Sequence, residues 1–213
     1  MDIQQLANPF GWDWGSILHA AFGAGIGTAG VQGAITLYRE RTQKQDKAAY
    51  LALRVAVMLE AYGSDCCRFY FDNVNAIELP DEQYRAWKTR LPTPPELPDD
   101  TEAWRAMNRE LLARCLNFPN KVLASQNAID SCIEFTMNDL ENTLDKHASD
   151  RGMEAWEIAA ALRKAYGLQA ADIVYDYHDT LQKVNKAALE ELEKRMARQA
   201  ELVSAASAPQ KET

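Results

Sequence analysis

The densest chemistry in the chain lies near its C-terminal third, where Asp172, Asp176 and Asp179 recur at i, i+4 and i+7 with Tyr175 and His178 between them. On a helix beginning near Gln169 this spacing puts three carboxylates on one face. Acids so placed can form part of a cation site or hold the His178 imidazole protonated. Asp172, Asp176, His178 and Asp179 are therefore the candidate metal ligands. The water-facing side of a bundle helix has the same composition, and no second ligand cluster in the sequence pairs with this one.

Other routes to chemistry find little to use. No glycine-rich loop follows a predicted strand, and no Glu-x-x-His pair provides the recurrent di-iron motif of helical bundles. His147 has no nucleophile next to it in sequence. Cys66, Cys67, Cys115 and Cys132 match neither a disulfide framework nor a zinc spacing, so they are expected to be reduced, small core residues. The sequence thus names no catalytic residue and calls for no cofactor.

The first 38 residues are a different material from the rest. All 23 lysines and arginines lie after Tyr38, and only Asp2 and Asp13 are charged before it. Residues 14–38 form an uncharged stretch whose Gly15 to Leu37 core would reach roughly 35 Å as a helix, against a hydrocarbon layer of about 30 Å. Trp12 and Trp14 stand at one border and Tyr38 at the other, where amphipathic rings favour the headgroup level. No basic region precedes the stretch, so it is expected to be a retained anchor and not a cleaved signal.

Arg39, Arg41, Lys44 and Lys47 outnumber Glu40 and Asp46 just after the stretch, which predicts residues 1–13 outside and the bulk of the chain cytoplasmic. Six glycines with His19 and Gln32 make the stretch only moderately apolar, so a buried hairpin or an interfacial segment is the competing assignment. Ala21, Gly25, Ala29 and Gly33 recur every fourth residue, with Gly23 and Gly27 on a nearby line. Small residues at this spacing let helices pack closely and self-associate in lipid.

The elements after Tyr38 read as helices. Residues 39–79 form a long helix entering a bundle, with Ala52, Val55, Ala56, Leu59, Cys66, Phe69 and Tyr70 on one stripe and Gly63-Ser64 as a kink. Five of eight prolines fall in residues 80–100, a connector in which Glu78-Leu79-Pro80-Asp81 is echoed by Glu96-Leu97-Pro98-Asp99. Pro95 and Pro98 also have a minimal PxxP spacing.

Residues 101–203 supply the remaining helices. Thr101 to Leu116 ends at Asn117-Phe118-Pro119, and Pro119 starts a helix to about Lys146. Residues 151–166 follow a Ser149-Asp150 cap and stop at Gly167, and a last helix runs from near Gln169 to Val203. Its Val174, Tyr177, Leu181, Val184, Ala188, Leu192 and Met196 hold a near-heptad seam, and residues 204–213 are expected to form a disordered tail. The expected fold class is all-α: one N-terminal transmembrane helix followed by a cytoplasmic bundle of four to five helices.

A net charge of −8 repels phosphate backbones and argues against nucleic acid as a partner. The expected partners are the lipid bilayer and either a second copy or another protein. The function expected is that of a membrane-anchored scaffold, adaptor or sensor. The alternative is an oligomerising effector that permeabilises the bilayer through its small-residue helix; a third reading is an enzyme or metal-binding bundle whose residues converge only in three dimensions.

Overall fold

The computed structural model describes residues 26–77, 87–136, 139–172 and 175–206, and these contain five helices and no strand. They are α1 (Ile26–Ile77), α2 (Thr101–Ala106), α3 (Arg109–Phe135), α4 (Leu140–Ala165) and α5 (Tyr177–Ala206). The chain divides into two compact units, Met1–Lys47 and Ala48–Thr213.

In the first unit the described residues belong to α1, and residues 38–47 are exposed on every side. Thr42 Oγ1 donates to the Tyr38 carbonyl at 3.0 Å, a local bond within the helix. The expected span lies partly outside the described residues, as do Ala21, Gly23 and Gly25, whereas Gly27, Ala29 and Gly33 fall on α1. Among the described residues, no helix is long and apolar enough to cross a membrane.

The second unit is a helical bundle. From Ala48 onward α1 buries Leu51, Ala52, Val55, Ala56, Leu59, Tyr62 and Cys66 at intervals of three and four, the period that puts one helix stripe on a core. Opposite stand Leu111, Cys115, Phe118 and Val122 of α3, Ala155, Ile158, Ala159 and Leu162 of α4, and Leu181 of α5. Burying each large side chain stabilises the fold by about 1.5 to 3 kcal/mol, so this cluster carries most of the driving force. A second cluster, with Phe69, Leu91, Ile129, Leu140 and Leu144, fills a further part of the unit.

Two glycines allow α1 and α4 to touch. A Cβ on Gly152 would come 2.6 Å from Leu181 Cδ1 and 2.9 Å from Cys66 Cβ, and a Cβ on Gly63 would collide with the Trp156 indole. Gly63 therefore serves a close approach inside α1, whose helix runs unbroken through the Gly-Ser pair.

The helix breaks differ from the expected ones in an instructive way. The first falls at Met107–Asn108, because Asn108 Oδ1 accepts from the Glu110 and Leu111 amides and starts α3 there. Pro119 lies inside α3. Its missing amide costs about 3 kcal/mol in an exposed helix, but buried neighbours Cys115, Phe118 and Val122 hold the stripe together across it.

The second break comes after Phe135, within the stretch that the pattern predicts as one helix to Lys146. Ser149, expected as a cap, is fully buried within α4, with its hydroxyl donating to the Asp145 carbonyl at 2.6 Å. Gly167 does end α4: it adopts a φ of 61°, and the Leu168 amide returns to the Arg163 carbonyl at 2.9 Å.

Residues 87–100 carry no helix and form a strap pinned by side chains. Asn73 of α1 holds both backbone groups of Lys88, donating at 3.1 Å and accepting at 2.8 Å. Gln126 of α3 accepts from the Leu91 amide at 2.9 Å and donates to the Thr89 carbonyl at 3.1 Å. Pro98, half of the PxxP spacing, is engaged by its own chain: its carbonyl accepts from Trp104 Nε1 at 2.8 Å.

Candidate functional site

The predicted acidic face does not form. α5 begins at Tyr177, eight residues later than expected, so Asp172 and Asp176 precede it and the three acids share no helix face. Asp176 caps the helix, with Oδ1 accepting from the Asp179 amide at 2.9 Å, while Asp179 pairs with Lys183 at 2.5 Å. His178 is half-buried in the first turn. Among the described residues, no group of three His, Cys, Asp or Glu side chains comes together to hold a metal ion.

Among the described residues, a groove of about 490 Å³ lies where the end of α3, the first half of α4 and the middle of α5 meet. It exists because α3 stops at Phe135, leaving Thr136 and Asp139 at the mouth, and because the α5 seam leaves the core after Ala188. Leu181, Val184 and Ala188 of the predicted seam are buried, whereas Leu192 is 41% and Met196 63% exposed. Phe135 on the facing wall is 75% exposed, so large apolar side chains rim the opening.

The polar members of the groove are largely committed to the fold. Arg195 pairs with Asp139 across α5 and α4, and with Glu191 at 3.4 Å. Lys146 pairs with Asp150 at 2.7 Å, and Asn185 Nδ2 reaches the other Asp150 oxygen at 2.6 Å and Ser149 Oγ at 3.1 Å. Thr143 donates to the Asp139 carbonyl at 2.8 Å and lies 3.4 Å from Cys132 Sγ. Burial holds the His147 imidazole below its ordinary range, assisted by neighbouring Lys146. Asn142 Nδ2 is buried in the wall without a hydrogen-bond partner.

All four cysteines are free thiols in buried positions. Burial pushes the Cys66 thiol up to about 12 and Cys115 up to about 11, which keeps both protonated and unreactive at neutral pH. Burial likewise raises the Tyr62 phenol, whose ring packs edge-on against Phe118 at 5.1 Å between centroids.

A smaller cavity beside the strap is lined by Asn73, Val74, Trp87, Glu141, Leu144 and Asp145. Burial first, and then the nearby Glu141 carboxylate, push the Asp145 carboxyl up to about 6. Because its folded pKa exceeds the unfolded value of about 3.9, its protonated form favours folding, and that contribution is lost as pH rises from about 4 through 6. The half-buried Asp145 side chain keeps some contact with water, which weakens this linkage. Asp145→Asn is expected to stabilise the bundle by about 1 to 2 kcal/mol at pH 7 and by little at pH 4. Urea unfolding of both proteins at the two pH values checks this; equal gains at both would contradict it.

The groove is invisible in the sequence because its α3 and α4 walls lie where the pattern predicts one unbroken helix. The available signal is Asp139 followed by Glu141, an acid at a helix start with another in the first turn. No protein-family model, curated protein or solved structure matches this chain.

Proposed function

We propose that this chain is a membrane-tethered helical bundle that works by docking another protein in the groove between α3, α4 and α5, with the bundle in the cytoplasm. The observation that carries the reading is the pair Phe135 and Leu192, both exposed in the lining of a concavity that also takes in Ala128 and Ala188. A groove of this kind suits the apolar face of an amphipathic helix. The tether rests on the uncharged stretch 14–38 and the basic residues that follow it.

Affinity capture from detergent-solubilised membranes, run in parallel with wild type and a Phe135→Asp/Leu192→Asp variant, tests the docking. Both positions are exposed, so the variant should fold with unchanged helicity and lose at least about tenfold of the captured partner, the scale of removing apolar anchors from an interface centre. Equal recovery of every co-purifying protein would refute the groove as the docking site.

A second reading, a membrane effector that oligomerises through its small-residue helix, is favoured by the four-residue recurrence of Ala21, Gly25, Ala29 and Gly33. Expression toxicity relieved by Gly25→Ile or Gly33→Ile would favour it over the adaptor.

A further inference from the structure

We infer that Arg39, Arg41, Lys44 and Lys47 form a collar that binds the anionic phospholipid headgroups of the leaflet in which the tether ends, an inference that rests on the membrane reading above. Three observations support it. These residues are the first cations in the chain, and they begin one residue after the uncharged stretch ends at Tyr38. They lie on α1, and residues 38–47 are exposed on every side, so their charge is presented to the surroundings and not spent in the core. Among the described residues, no ion pair engages Arg39, Arg41 or Lys44, although Glu40 and Asp46 are nearby in sequence.

The geometry suits a charged plane. At 1.5 Å per residue, Arg39 to Lys47 spans about 12 Å along the helix, close to the Debye length of about 8 to 10 Å at physiological salt. Every cation of the collar then lies within or near the reach of a leaflet's negative potential if Tyr38 sits at the headgroup level. Arg41, Lys44 and Lys47 fall within about 120° of helix surface, which gives headgroups a continuous positive strip to gather along. The bundle unit cannot compete for this role: four of the chain's 23 cations precede Ala48 against four of its 31 acids, leaving 19 cations and 27 acids beyond, and such an excess of acid is repelled by the same leaflet.

The test uses the full chain reconstituted in phosphatidylcholine vesicles containing a trace of spin-labelled phosphatidylglycerol or spin-labelled phosphatidylcholine, with the motionally restricted lipid measured by electron paramagnetic resonance. The expected result is a preference of about threefold for the phosphatidylglycerol label, falling to parity in Arg39→Gln/Arg41→Gln/Lys44→Gln and in high salt. All three substitutions are at exposed positions, so the thermal unfolding of the bundle should not change. Equal restriction of the two labels by wild-type protein would overturn the collar while leaving the tether in place. No restricted lipid with either label would overturn the tether and the collar together.

Discussion

Glu60→Ala should lower the stability of the bundle by about 3 kcal/mol, because it leaves a buried guanidinium without its carboxylate. Arg163 of α4 grips this carboxylate of α1 with two parallel bonds, Nε to Oε1 at 2.6 Å and Nη2 to Oε2 at 2.8 Å. Both side chains are only 13% exposed, so water replaces the lost partner only in part. The hydrogen bond to Glu60 raises the Arg163 pKa above a value that is already high, and the guanidinium stays charged in the variant. Its third bond, Nη1 to the Gln169 carbonyl at 2.6 Å, would remain but cannot neutralise it.

The sign of the double variant separates lost attraction from an unpaired buried charge. Glu60→Ala/Arg163→Ala removes both charges and is expected to be less damaging than Glu60→Ala alone, whereas independent contributions would add. Urea unfolding of the four proteins in this cycle measures the coupling. A Glu60→Ala protein as stable as wild type would show that the pair contributes nothing to joining α1 and α4.

Gly152→Ala should cost about 2 kcal/mol, lowering Tm by about 4 to 8 °C for a chain of this size. Replacing an interior helix glycine by alanine ordinarily gains about 1 kcal/mol from propensity, so a loss here reports packing alone. The new methyl would lie 2.9 Å from Cys66 Cβ, an atom bonded directly to the α1 backbone that no rotamer change can move, and 2.6 Å from Leu181 Cδ1. Relief requires α1 and α4 to separate, loosening the cluster that contains Cys66, Ala155 and Leu181. Gly167→Ala is the contrasting control: a Cβ there meets nothing within 4 Å, so its cost comes from a φ of 61° and not from a clash. Thermal unfolding followed by circular dichroism reads both, and a stabilised Gly152→Ala protein would mean that the helices do not cross this closely.

Where local pattern and tertiary packing agree, the sequence is legible. The all-helical class follows from apolar periodicity, and the inner stripe of α1 at Ala52, Val55, Ala56, Leu59, Cys66 and Phe69 is buried as its spacing predicts. Gly167 is readable as a stop because a glycine at a helix end suits the left-handed conformation it adopts. Pro119 misleads because a proline inside a helix looks like a boundary, and the buried residues on both sides of it are not visible along one line of sequence. The start of α5 is misplaced because Asp172 and Asp176 both suit a helix stripe, while only the structure shows Asp176 serving as its cap. With that start, Asp172, Asp176 and Asp179 do not share one helix face. The groove replaces it as the candidate site because it is made by a break after Phe135 and by an α5 seam that outruns the core, neither of which periodicity alone encodes.

The proposed function depends on residues 14–38 tethering the bundle to a bilayer. Washing isolated membranes with alkaline sodium carbonate tests this most directly, because the treatment strips proteins held by charge or by protein contacts and leaves those embedded in acyl chains. The full-length chain is expected to stay in the membrane pellet, and a chain lacking residues 1–38 to enter the supernatant. Release of the intact full-length chain into the supernatant would contradict the tether.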